Sequence, residues 1–269
     1  MAKGHIIPEF YLKLFLDPNI PLNKSQELFY YDFDKTTWGR RPPSSLGYIE
    51  DYYILTEKEI HEYDMIEKAF QKVESEAAKI IKEKITQRAA LTEDEKNAFA
   101  EFAVLMRTRV TSFIDFLSKN FTDIKKKVSD KVEDTDEQLI EEVKTLIATS
   151  SKKSREILLA LNWSFLHSAG DDYFITSDNP YYLTDKRRPN GMHSLGHRDP
   201  NNYVTLPLTR NICFFASHEK DFDLHQDIGN NIVALQNFQR IASARNRIFC
   251  PMQKFPGDNY INLRMASKK

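Results

Sequence analysis

The chain has 269 residues, 41% hydrophobic and 12% aromatic, which supplies a core for one large domain or two small ones. Charged residues make up 29% and the formal net charge is -1, so no global basic field draws the chain onto nucleic acid or an anionic membrane. Cys213 and Cys250 lie in apolar runs and form no CxxC pair, which excludes a disulfide framework and a zinc ribbon and fits buried thiols in a reducing compartment.

Residues 8–17 read as a short helix, with Pro8 at a favoured first position and Asp17-Pro18 as the stop. The alternating, aromatic-rich segment 28–34 reads as a strand, 36–39 as its hairpin continuation and 48–55 as a third strand. The stretch from 57 to 163 then contains neither glycine nor proline and carries helical periodicity. One helix is expected over 58–87, with Phe70, Val73, Ala77 and Ile81 on one face. Thr92-Glu93-Asp94-Glu95 is a capping box and opens a second helix, striped by Phe99, Phe102, Met106 and Val110. Further helical segments are expected at 121–133, 136–149 and 152–168, the last carrying Leu158, Leu161 and Phe165.

Strands return at 173–176, 203–208, 212–217 and 247–250. Between them, 229–246 reads as a helix with Ile232, Leu235, Phe238 and Ile241 on its apolar face. The polar segment 184–202 reads as a long loop of the kind that carries function. Strands flanking a helical block predict an α+β fold in a single domain over 1–269. Its mixed or antiparallel sheet is built from N- and C-terminal segments, around a large central helical insertion at 57–168. No run approaches about 18 apolar residues, and the N-terminus lacks the apolar run of a signal peptide. A cytoplasmic protein without membrane association is expected.

A buried charge costs several kcal/mol unless it is paired, so polar residues in apolar settings are either partners of one another or a working site. Glu74 and Arg107 border the stripes of the first two long helices. They read as a structural ion pair, or as an anion clamp in which Arg107 holds a phosphate or carboxylate and Glu74 orients it. His5 leads an apolar segment and reads as a general acid or base, or as a packed histidine anchoring the N-terminus. Asp178 ends an apolar strand before Asn179-Pro180 and reads as a base or metal ligand, or as turn chemistry.

Asn237, Arg240 and Arg245 on or near the last helix, with Arg187 and its basic neighbours, read as a basic groove or as a solvated face. Tyr181, Tyr182 and Tyr203 are interspersed, as stacking on single-stranded bases requires. His193 and His197 would suit a metal only on a helix, against which Gly191, Gly196 and Pro200 argue. His218 and His225 share no usable register. No phosphate loop, GxSxG elbow or HExxH occurs, which sets aside Rossmann, P-loop, serine-hydrolase and zincin mechanisms.

The run His5-x-x-Pro8-x-Phe10-Tyr11-Leu12-x-x-Phe15, then Glu74, Arg107, Thr176-Ser177-Asp178-Asn179-Pro180, Leu206-Pro207-Leu208 and Asn237, occurs in that order. Together these resemble bacterial proteins of domain-of-unknown-function family 4238 over nearly the whole chain. Family members often carry Gln where this chain has Glu9. The resemblance implies an architecture and a set of candidate residues, and no reaction. His, carboxylates and Arg converging on one cleft suit a hydrolase or nuclease acting on a phosphate ester of a nucleic acid or nucleotide. His5, Glu74, Arg107 and Asp178 would be catalytic, Asn237, Arg245 and Arg187 would bind substrate, and a divalent cation is the candidate cofactor. The other expectation is a non-enzymatic ligand-sensing or partner-binding module of a defence or stress locus, in which the same residues form a buried network.

Overall fold

The computed structural model describes residues 3–17, 26–50, 59–110, 152–169, 172–185 and 199–267. The elements of the N-terminal half are β1 (Lys3–His5), α1 (Glu9–Lys13), β2 (Leu28–Asp32), β3 (Thr37–Arg41), β4 (Tyr48–Glu50), α2 (Glu59–Ile80) and α3 (Glu93–Thr108). There follow α4 (152–159), β5 (Asn162–Ser168), β6 (Thr176–Ser177), β7 (Tyr182–Asp185), β8 (Asn202–Thr209) and β9 (Ile212–Ser217). The chain closes with β10 (His225–Ile228), α5 (Asn230–Ser243), β11 (Arg247–Cys250) and α6 (Tyr260–Ser267).

The fold is α+β. One sheet has five strands in the order β10-β5-β9-β8-β7, a second has four in the order β3-β2-β11-β6, and β1 pairs with β4. In the larger sheet only the β10–β5 pair is parallel. The four-stranded sheet joins the two ends of the chain, because β11 runs antiparallel to β2 with Arg247 opposite Asp32 and Cys250 opposite Phe29. Helix α3 packs its apolar stripe on the larger sheet, and α2 packs against α3. Phe99 lies 5.1 Å from the ring of Phe214 and 5.7 Å from those of Trp163 and Phe165. The expected capping box forms: Glu95 N–H donates to Thr92 Oγ1 at 3.2 Å and Thr92 N–H to Glu95 Oε2 at 2.8 Å.

Three local expectations change. The helix expected over 152–168 stops early, and its second half is the strand β5. Leu158, Leu161 and Phe165 suit helical spacing. However, Trp163 and Phe165, two apart, reach one face of a strand and both pack on Phe99 and Phe214. The helix expected over 58–87 passes at its end into a π-helical turn, Ile81–Ile85. The segments 121–133 and 136–149 and residues 186–198 lie outside the described residues.

The third change is the largest. Helix α5 turns its polar side inward. Val233, Gln236, Asn237, Gln239, Arg240, Ile241 and Ser243 are buried, while Ile232 and Leu235 are 43% and 44% exposed. Of the apolar face read from the sequence, Ile241 alone is buried in the core, and the ring of Phe238 lies tilted 4.6 Å from that of Tyr260 on α6. The reason is what α5 covers: the face of β7 and β8 beneath it is itself hydroxylic, with Tyr182, Thr184, Tyr203 and Thr205.

Candidate functional site

Thr176-Ser177-Asp178-Asn179-Pro180 straps the C-terminal end of α5 to the sheets. The Asp178 carboxylate accepts from the backbone amides of Arg245 at 2.7 Å, Asn246 at 2.7 Å and Arg247 at 2.9 Å. Burial pushes the Asp178 carboxyl up, while those amides and the Arg264 charge pull it down. Asn179 donates to the Ser243 carbonyl at 3.0 Å. Thr176 Oγ1 lies 2.8 Å from the hydroxyl of Tyr11. That hydroxyl donates its proton to the Pro207 carbonyl at 2.6 Å, so Thr176 is the donor to Tyr11. Asn237, expected to bind substrate, is buried and spends its amide on the backbone. It accepts from Ile175 N–H at 2.9 Å and donates to the carbonyls of Tyr173 at 3.0 Å and Pro256 at 2.9 Å.

Of the other expected residues, Glu74 forms its ion pair with Arg109, two residues beyond Arg107. Arg109 is buried at the C-terminal cap of α3 and lies over the Phe70 ring at 4.9 Å. Arg107 donates to Ser154 Oγ at 3.3 Å and lies 6.0 Å from the Tyr181 ring centroid. The ion pair read from helical spacing is thus displaced to the end of α3, where the dipole favours a cation. The backbone of His5 pairs with Tyr48 in β1–β4. Arg245 is exposed, and its carbonyl accepts from Arg264 at 3.0 Å. Arg187 and the pair His193 and His197 lie outside the described residues.

Arg240, read as part of a basic groove or solvated face, is completely buried. It donates to the Pro180 carbonyl and to Thr205 Oγ1, and to the Thr205 carbonyl at 3.3 Å; its guanidinium sits 5.1 Å from the Tyr182 ring centroid. The chain continues from Thr205 Oγ1 to Gln239 Oε1 at 3.4 Å and from Gln239 Nε2 to Tyr203 Oη at 2.6 Å. Burial lowers the Arg240 pKa, and the nearby Cys213, Tyr11, Tyr182 and Tyr203 oppose that shift. Among the described residues no carboxylate pairs with it.

A second cluster lies at the open edge of the larger sheet. His167 Nε2 is 2.9 Å from His225 Nδ1, and His225 Nε2 is 3.2 Å from the Ala89 carbonyl. A carbonyl only accepts, so His225 carries a proton on Nε2; in the neutral ring its Nδ1 then accepts from His167 Nε2–H. His167 Nδ1 then holds a lone pair. Burial, then the Arg88 charge, then His225, push the His167 pKa down to about 4. Asp227, two residues after His225, is held by both Nη atoms of Arg88. Arg88 adopts a left-handed backbone at φ 55°, just after the π-helical turn. Such features cost energy and gather at functional sites. His225-Gln226-Asp227 in a strand puts both side chains on one face, which is the signal that would have found them; His167 was hidden by the helical reading of its segment. Among the described residues no group of three or more His, Cys, Asp and Glu is arranged to hold a metal ion.

Two outcomes follow. Asp178→Ala strips three amides of their acceptor and is expected to cost about 2–4 kcal/mol in urea unfolding; a loss below about 0.5 kcal/mol would contradict the strap. For His167, the depressed pKa means that the unfolded chain takes up a proton, near its ordinary value of 6.5, before the folded one does. Its contribution is therefore full above pH 6.5 and lost as pH falls toward 4. The melting temperature of the wild type should fall more between these limits than that of His167→Gln. Parallel curves would show that the histidine is not held neutral.

Among the described residues no helix is long and apolar enough to cross a membrane. No curated protein matched the chain, and no solved structure did. The family model described as "Protein of unknown function (DUF4238)" matches residues 3–252 of the 269. It spans the strap, Tyr11, Asn237, the buried arginine and the histidine pair alike, and the chain belongs to that family.

Proposed function

We propose that the protein is a cytoplasmic hydrolase acting on a phosphate ester of a nucleic acid or nucleotide, with the His167–His225 pair as its proton relay. The observation that carries this reading is the fixed tautomer chain from Ala89 through His225 to His167, beside the exposed guanidinium of Arg88. His167 Nδ1 would take a proton from water as the water oxygen bonds to phosphorus. The bond to the leaving oxygen breaks, and the proton returns to that oxygen. Burial, and after it the Arg88 charge, lowers the His167 pKa in the free protein. A phosphate on Arg88 offsets that charge, so substrate itself would raise His167 toward a working range. The free, buried thiols of Cys213 and Cys250 support a reducing, cytoplasmic setting.

The second reading, a ligand-sensing or partner-binding module, is favoured by a different observation. Asp178, Asn237 and Glu74 are engaged by backbone or by Arg109, as a structural network requires.

The test is turnover of bis(p-nitrophenyl) phosphate, single-stranded DNA, RNA and nucleoside monophosphates, with and without Mg²⁺. His167→Ala and His225→Ala are expected to lower kcat by about 100-fold or more, and Arg88→Ala to act mainly on KM. Turnover lost in His5→Ala but kept in both histidine-pair variants would return the chemistry to His5, Glu74, Arg107 and Asp178. No turnover of any substrate under either condition would favour the module.

A further inference from the structure

The layer between α5 and the β7–β8 face contains groups that the fold leaves unfinished. Gln236, Gln239 and Arg240 line one side of α5, at spacings of three and four residues. Opposite them, Tyr182 pairs with Thr205 and Thr184 with Tyr203, which puts all four side chains on one sheet face. All seven residues are buried. Among the described residues three of their atoms have no hydrogen-bond partner: Arg240 Nε, Gln236 Oε1 and Thr184 Oγ1. An enclosed polar atom left unmatched costs about 1–3 kcal/mol. Here three such atoms share one layer with a guanidinium that no described carboxylate neutralises.

The unmatched set prescribes its complement. Arg240 Nε–H needs an acceptor and its charge needs an anion. Gln236 Oε1 needs a donor, and Thr184 Oγ1 serves as either. An ionised carboxylate or sulfate has no proton to give to Gln236. A phosphate group that keeps one proton has both acceptor oxygens and an O–H. We propose that this layer is a binding site for one protonated phosphate group, carried as free phosphate or as the terminal group of a nucleotide. The site is separate from the histidine pair and does not depend on the hydrolase reading.

The experiment follows the melting temperature of the full chain in inorganic phosphate, in sulfate and in chloride at matched ionic strength, with AMP as a fourth arm. Phosphate is expected to raise the melting temperature by about 3 °C or more over chloride at saturating concentration, with sulfate well below it. A rise with AMP assigns the site to the nucleotide, and a rise with inorganic phosphate alone assigns it to the free ion. Arg240 variants are avoided because the side chain also holds the fold. Instead, Thr184→Val and Gln236→Met remove the unmatched atoms without emptying the layer. Each should melt in chloride at or above the wild-type temperature and lose most of the phosphate increment. Equal effects of phosphate and sulfate, or an increment unchanged in both variants, would overturn the proposal. So would variants that are destabilised in chloride without any phosphate effect in the wild type, which would mark the layer as a buried-water site.

Discussion

The interaction on which the rest of this structure depends is the enclosure of the Arg240 guanidinium by carbonyl and hydroxyl oxygens, with no carboxylate paired to it among the described residues. The Pro180 and Thr205 carbonyls and the Thr205 hydroxyl surround it, and Tyr182 lies against its face. Carbonyl dipoles can solvate a buried cation only if they are fixed at close range, because desolvation costs several kcal/mol and a loose shell does not recover it. That requirement fixes the position of α5 against β8, and it fixes Pro180, which ends the strap. The orientation of α5, polar side in and Ile232 and Leu235 out, follows from the charge it carries on its inner face.

The residues that link distant parts of the sequence serve the same arrangement. Tyr11 near the N-terminus joins Thr176 and Pro207, Asp178 gathers the turn from α5 into β11, and Asn237 holds residues 173–175 and Pro256. All but the Asn237–Pro256 bond are contacts across more than sixty residues, where a satisfied donor or acceptor contributes roughly 1 kcal/mol but an orphaned one costs more. Arg264 of α6 closes the same corner by donating to the carbonyls of Ile241 and Arg245. Of the segments that make the chain resemble its family, Tyr11, Thr176–Pro180, Pro207 and Asn237 assemble the corner where α5 meets both sheets, whereas Glu74 and Arg107 are bonded to Arg109 and Ser154 instead.

Much of the fold was legible in the amino-acid sequence because it rests on local rules. The capping box at Thr92 and the stripe of Phe99, Phe102 and Met106 placed α3, aromatic-rich alternation placed β2, and the apolar run around Cys213 placed β9. Where the reading failed, tertiary context had overridden periodicity. Phe165 satisfied a helical spacing and sits in a strand, because two apolar residues four apart say nothing about the residues that will face them. Arg240 looked like surface charge because a lone arginine on a helix usually is. Its burial depends on hydroxyl and carbonyl groups in β7 and β8 that no local window contains. The histidine pair was illegible for a related reason: His167 and His225 meet only through the parallel pairing of β5 with β10, a strand too short and polar to announce itself.

The orientation of α5 is the claim from which the buried cation, the strap and the polar layer all follow, and thiol accessibility reads it directly. Cys213 and Cys250 are buried and give a low background. In the folded protein, Leu235→Cys should react with a disulfide reagent at close to the rate of an exposed thiol, and Gln236→Cys about 100-fold or more slowly. Fast reaction at position 236 with protection at 235 would mean that α5 presents its apolar side to the sheets, and the account given for Arg240 would be wrong.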